Sequence, residues 1–221
     1  MSKLAIFDCD GTLVDSGSTI HSALDSALRH HGFCCPPREE AQKVIGLSLV
    51  EAMRTLVPEG NHEAMAETYK QAFVELRQSG AAIEDPYEGI TDLLKSFENA
   101  GWMLAVATGK SMRGLDHILE THDWRGHFIS LQTADGHPSK PNPSMINSAV
   151  AEAGADPMQT VMIGDTSHDM RMARNAGVGA IGVIWGYHEP DELKEGGAHA
   201  LAGRASDVLT LSEAWRQGAW Q

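Results

Sequence analysis

The chain has 221 residues, with 30 acidic against 17 basic side chains and a formal net charge of −13. That length can bury a substantial core, either as one α/β domain or as one domain carrying an insertion. The acidic balance argues against nucleic acid or an anionic membrane surface as a partner. The opening MSKLAIFD has no apolar run of signal-peptide length, and no later run approaches the roughly 20 residues of a membrane span. Cys9, Cys34 and Cys35 form no disulfide framework, so a reducing cytoplasm is the expected compartment.

The first predicted element is a strand over residues 4–7, which runs into Asp8 and Asp10 before Gly11 and Thr12 end it. Strand side chains repeat every two residues, so Asp8 and Asp10 leave on one side and Cys9 packs on the other. Two carboxylates this close need a shared proton, solvent or a cation between them. The same four residues also read as an Asx-type turn. From 15 to 85 helical patterns follow one another without a strand: 20–31, a short piece after Pro36 and Pro37, 49–57 and 62–78. Ser48 with Glu51 three residues on predicts a capping box at the third helix, and Asn61 caps the fourth. About seventy residues are too many for a crossover connection. They read as a small helical cap domain, residues 15–85, inserted into an α/β core made of residues 1–14 and 86–221.

Beyond the insertion, strand-like runs at 103–107, 128–131, 161–163, 180–184 and, more weakly, 198–202 alternate with amphipathic helices. Helices over 143–153 and 170–176 stop at Gly154 and Gly177. Continuous apolar strands alternating with helices predict the α/β class: a Rossmann-like parallel sheet covered on both faces.

Ligands of such sheets bind beyond the carboxyl ends of the strands. The first strand end supplies Asp8, Asp10, Gly11 and Thr12, and the second supplies Thr108, Gly109, Lys110 and Ser111 at a helix entry suited to an oxyanion. The third is followed by TADGHPSKPNP, with Lys140 between prolines, and the fourth by GDTSHD, with Asp165 and Asp169. Each piece has a plain reading: Lys140 as a solvated loop lysine, Thr108 as a helix cap, Asp165 and Asp169 as turn or capping residues. Together, at successive strand ends, they make a hard-cation site beside an anion site, the combination magnesium and a phosphate group require.

DCDGTLVDS, Thr108 with Gly109, Lys140 with Pro141, and GDTSHDMRMARNAG resemble the four ordered motifs of the haloacid dehalogenase-like hydrolase superfamily. The insertion after the first motif is similar to the family's first cap class, and GVIWGY resembles its phosphoglycolate phosphatase-like branch. The resemblance implies a phosphatase acting on a small phosphorylated metabolite through an aspartyl-phosphate on Asp8. Asp10 would be the general acid and base, and Mg²⁺ would be held by Asp8, the main-chain carbonyl of Asp10 and Asp165, with Asp169 as a further ligand or an orienting group. Thr108, the Gly109 amide and Lys140 would stabilise the phosphoryl oxygens, and Thr12 would position Asp10. Gly11 and Thr12 would bind the substrate together with Thr108, Gly109 and Lys140.

The dehalogenase branch lacks an aspartate at the position of Asp10, which disfavours halide displacement. A sugar phosphomutase, a pyrophosphatase and a phosphate-binding regulator without turnover are the rival readings. TGKS at 108–111 is the tail of a P-loop pattern whose required glycine is replaced by Leu104, and HEAMA has Ala66 where a zinc-protease helix needs histidine. His168 is expected to be an exposed loop histidine. Trp185 and Tyr187 are expected to pack at the sheet's edge.

Overall fold

The computed structural model describes residues 2–220. Chain order is β1 (Lys3–Phe7), β2 (Val14–Asp15), α1 (Gly17–His30), α2 (Arg38–Gln42), α3 (Leu49–Leu56), α4 (His62–Gln78), β3 (Asp85–Pro86), α5 (Ile90–Asn99) and β4 (Trp102–Thr108). There follow α6 (Met112–Thr121), β5 (Phe128–Thr133), α7 (Ser144–Ala153), β6 (Thr160–Gly164), α8 (Ser167–Ala176), β7 (Gly179–Val183), α9 (Pro190–Glu195), β8 (Ala200–Ala202) and α10 (Ala205–Arg216).

Six strands form one parallel sheet in the order β5-β4-β1-β6-β7-β8. The chain works outward from β1 in both directions, so the topological switch point lies at β1, where open sheets of this kind leave a crevice. The register places Phe7 level with Val106 on one side and Ile163 on the other. The ends of β1, β4 and β6 therefore deliver Asp8, Thr108 and Asp165 to one edge of the sheet.

Alternation along β1 explains why its run is apolar throughout. Ala5 and Phe7 face a core completed by Ile90, Leu94 and Phe97 of α5 and Leu115 of α6, while Leu4 and Ile6 face Met145 and Ile146 of α7 and Met170 of α8. Cys9 continues the first of these rows and is buried in it, as the period-two reading requires.

Helices α1 to α4 carry a core of their own, with Leu24, Leu28, Met53 and Met65 at its centre. Their chain leaves and returns through two short strands the sequence did not indicate, β2 and β3, paired antiparallel with Asp15 opposite Asp85. Thr19 ties this junction further, donating to the Ile83 carbonyl at 2.9 Å and accepting the Ile83 N–H at 2.8 Å. Two-residue strands have no periodicity to read, which is why they were not visible in the sequence.

Asn61 caps α4 through the Ala64 N–H at 3.1 Å, as expected. The capping box expected at Ser48 does not form: the Ser48 side chain caps nothing, and Glu51 pairs with Arg54 instead. The Ser48 N–H donates to Ser139 Oγ at 2.8 Å, because this helix start is docked on a core loop that supplies the acceptor. Among the described residues, no helix is long and apolar enough to cross a membrane.

Candidate active site

Asp8 follows β1 directly, and its backbone N–H still donates to the Ile163 carbonyl at 2.9 Å, so sheet pairing fixes its position. Its Oδ1 accepts the Cys9 N–H at 2.7 Å. Its Oδ2 lies 2.9 Å from Lys140 Nζ in a buried ion pair. Lys140 is only 2 % exposed and also reaches Asp169 Oδ1 at 2.6 Å. The solvated-lysine reading therefore fails.

Asp169 opens α8 as half of a capping box. Its Oδ2 accepts the Thr166 N–H at 3.1 Å and the Thr166 hydroxyl at 2.6 Å. One oxygen serves the helix and the other the lysine, so the capping and site readings of this residue are both realised. Asp165 is held from two sides, by the Thr12 hydroxyl on Oδ1 at 2.8 Å and the Tyr187 N–H on Oδ2 at 2.9 Å. Gly11, at φ +83°, lies so close that a Cβ there would come within 2.1 Å of Asp165 Oδ2. Only glycine fits that conformation and that approach.

Asp8, Asp165 and Asp169 each offer an oxygen within 4.8 Å of the others, all buried. Burial is the first cause of the Asp8 carboxyl being pushed up to about 7, against the pull of Lys140. Burial, then Asp169 and Asp8, raise Asp165 well above the usual carboxylate range. One lysine does not neutralise three carboxylates. A buried all-oxygen cluster of three carboxylates against one lysine has the donor chemistry a divalent hard cation takes.

Asp10 stands apart from that cluster. Its Oδ1 accepts from the Ser16 hydroxyl and lies 2.9 Å from Lys110 Nζ. The sequence pointed to Thr12 as the residue positioning Asp10; the structure assigns that place to Ser16 and Lys110, because Thr12 is turned toward Asp165. Burial alone would lower the Lys110 ammonium, but Asp10 and Glu84 beside it raise it. Lys110 stood among the second strand-end residues and Ser16 closed the first motif, but nothing in their spacing tied either to Asp10.

Tyr187 also corrects the reading of an edge-packing residue. Its N–H holds Asp165, and its hydroxyl accepts the Ser16 N–H at 3.1 Å, so it braces both carboxylate sites. Trp185 packs at the edge of the core as expected, with its indole N–H donated to the Thr12 carbonyl at 3.2 Å. His168 is half-buried, and its Nε2 lies 3.0 Å from the Lys43 carbonyl of the helical insertion.

Above Asp8 is a chamber of about 910 Å³ between the sheet's edge and the helical insertion. Asp8, Asp10, Thr108 and Gly109 line it, whereas Gly11, Thr12, Lys140, Asp165 and Asp169 lie outside its lining. Thr108 is buried, and its hydroxyl accepts the Lys110 N–H at 3.2 Å. Gly109 passes under the 46–47 loop of the insertion, where a Cβ would meet the Leu47 carbonyl at 2.4 Å and the Gly46 carbonyl at 2.6 Å.

Known proteins resemble this chain in sequence and fold. The chain is 36% identical over 222 residues to "Probable phosphatase IndB" of Dickeya dadantii (strain 3937), covering 97% of this chain and 95% of that protein. It is 30% identical over 220 residues to the phosphoglycolate phosphatase of Vibrio vulnificus (strain CMCP6), covering 95% of each. The crystal structure of a hydrolase from Pseudomonas syringae superimposes with a TM-score of 0.83 at 25% identity, over 96% of this chain and 99% of that one. Residues 5–183, most of the core together with the helical insertion, match the family described as haloacid dehalogenase-like hydrolase, and the chain belongs to that family.

Proposed function

We propose that this protein is a magnesium-dependent phosphatase that hydrolyses a small soluble phosphate monoester through an aspartyl-phosphate on Asp8. The observation that carries the reading is the pairing of a buried three-carboxylate cluster, Asp8, Asp165 and Asp169, with Asp10 held separately at the same chamber floor. Residues 15–85 act as the cap and residues 1–14 with 86–221 as the catalytic core.

In the first step an Asp8 oxygen attacks phosphorus, the bond from phosphorus to the ester oxygen breaks, and Asp10 gives its proton to the departing alkoxide. In the second, Asp10 takes a proton from water as the water oxygen attacks phosphorus, releasing inorganic phosphate and the Asp8 carboxylate. Lys140, Thr108 and the Gly109 amide meet the phosphoryl oxygens, where charge grows in the transition state. Asp8, the Asp10 carbonyl and Asp165, with Asp169 behind them, would hold Mg²⁺, which when bound supplies the positive charge that the phosphate and the buried carboxylates lack. Seating of the cap over the chamber keeps bulk water from the ester.

Similarity alone makes phosphoglycolate the first ester to test, with pyrophosphate and sugar phosphates after it. The test is phosphate release by purified protein with Mg²⁺, beside Asp8→Asn checked for folding by circular dichroism. Turnover by wild type and none by the variant is expected, whereas substantial turnover by Asp8→Asn overturns the covalent route. Incubation with hexose 1-phosphates, followed by ³¹P NMR, separates a mutase, which returns a new sugar phosphate with little free phosphate.

A further inference from the structure

The wall of the chamber contributed by the cap is largely apolar, with Leu24, Val44, Met53 and Leu56 beside Tyr69 and Phe73. The two rings have centroids 5.8 Å apart. The Tyr69 hydroxyl has no hydrogen-bond partner among the described residues, although the ring stands near Asp10, Glu84 and Arg77.

Cations reach this wall, but the buried ones are already matched. Arg77 forks onto Glu84, Nε to Oε2 and Nη2 to Oε1, both at 2.8 Å. Lys110 lies 2.9 Å from Asp10 Oδ1 and 3.7 Å from Glu84 Oε1. Both cations stack over Phe73, at 4.8 Å and 5.2 Å from its centroid. Each of these cations is already in contact with a carboxylate, and Glu84 touches both. Lys70 is exposed and paired with Glu67. Arg113 lines the chamber but is exposed, where water screens it. A carboxylate on the leaving group would thus lose its hydration here without a free buried cation to meet it.

The size of the chamber points the same way. The cap touches the core through Ser48 on Ser139 and the 46–47 loop on Gly109, and the space of about 910 Å³ between them stays partly open to solvent. It falls near the top of the range for cavities that enclose drug-sized ligands. A two-carbon acid would leave most of it unfilled.

Resting on the phosphatase reading above, we propose that the substrate is the phosphate monoester of an uncharged alcohol with a ring or apolar body, seated against Tyr69 on the apolar cap wall. The Tyr69 hydroxyl donates to a polar atom of that body.

Four primary alkyl esters with Mg²⁺ test it, because they vary size and charge while keeping an alkoxide leaving group: benzyl phosphate, 4-carboxybenzyl phosphate, 2-hydroxyethyl phosphate and 2-phosphoglycolate. The expected kcat/KM for benzyl phosphate exceeds each of the others by about tenfold or more, the scale on which pocket contacts discriminate. In Tyr69→Ala, KM should rise for benzyl phosphate more than for 2-hydroxyethyl phosphate. Glu84→Gln, which unmasks Arg77 and Lys110, should raise the ratio of 4-carboxybenzyl to benzyl turnover within the same variant. Either carboxylated ester equalling its neutral counterpart in wild type, or an unchanged ratio in Glu84→Gln, overturns the inference and leaves the phosphatase intact. No release from any of the four by folded protein overturns the phosphatase reading and this inference with it.

Discussion

The Thr12 hydroxyl donates to Asp165 Oδ1 at 2.8 Å, joining the loop after β1 to the loop after β6 across 153 positions of sequence. This bond fixes which way a proposed metal ligand points, although Thr12 lies outside the chamber. Removing a partner that orients a metal ligand costs about 10–100-fold in metal affinity or activity. Thr12→Val should therefore raise the Mg²⁺ concentration for half-maximal activity by about that factor, while Thr12→Ser, which keeps the hydroxyl, stays near wild type. A valine variant with wild-type magnesium dependence would return Thr12 to a purely structural place.

Among the described residues, Lys140 is the one cation in direct contact with the three-carboxylate cluster, against Asp8 and Asp169. Removing one side of a buried ion pair leaves uncompensated charge and costs about 3–5 kcal/mol. Lys140→Met should show a loss of that order in metal-free denaturant unfolding, with part recovered on adding Mg²⁺. Its rate should fall at least about 10²–10³-fold, the effect of deleting a preorganised donor at a developing oxyanion. A rate loss below tenfold would contradict contact with the phosphoryl group.

How far the site could be read depended on how each residue declares itself. Asp8 and Asp165 stand at the ends of apolar runs, and a parallel sheet brings such ends together whatever the loops do, so their convergence was legible; Asp169 joins them from the start of α8, and Asp10 is held apart. The orientation of Thr12 was not legible, because a loop at φ +83° for Gly11 turns its neighbours in ways that strand alternation does not describe. Lys110, Glu84 and Arg77 come from a strand end, a junction and a cap helix, and only tertiary packing makes them one ion-paired group. Ser48 and Thr166 show the limit of local capping rules. Each is followed three residues later by an acid, but at Ser48 a core loop and Arg54 took the groups a capping box would use, whereas at Thr166 Lys140 takes only Asp169 Oδ1 and leaves Oδ2 to the cap.

Burial pushes the Asp8 carboxyl from an ordinary 3.8 to about 7 without metal. Between those values the folded state holds a proton that the unfolded state has released, so this group favours folding on the acid side. That contribution is lost as pH rises through 7. A divalent cation reverses the sign, since it requires the ionised form. The gain in Tm on adding Mg²⁺ should therefore be small near pH 5.5 and larger at pH 8, measured by thermal unfolding at one ionic strength. A gain that is equal at both, or larger in acid, would remove Asp8 from the set of ligands.

Gly109 lies where the cap loop rests on the core, with the Leu47 and Gly46 carbonyls 2.4 Å and 2.6 Å from where a Cβ would stand. Both obstacles are backbone, so no rotamer change relieves them, and Gly109→Ala must push the 46–48 segment off its seat. The Ser48 N–H should then lose Ser139 as its acceptor, which hydrogen exchange reads as faster labelling at that amide. A displacement of about 1 Å in a positioning contact is enough to cost about 10²-fold, so kcat/KM should fall by that order while overpacking costs only about 1–3 kcal/mol of stability. Gly126→Ala is the control, because nothing lies within 4 Å of a Cβ there. If Gly109→Ala turns over substrate like Gly126→Ala despite faster exchange at Ser48, catalysis does not depend on the seated cap.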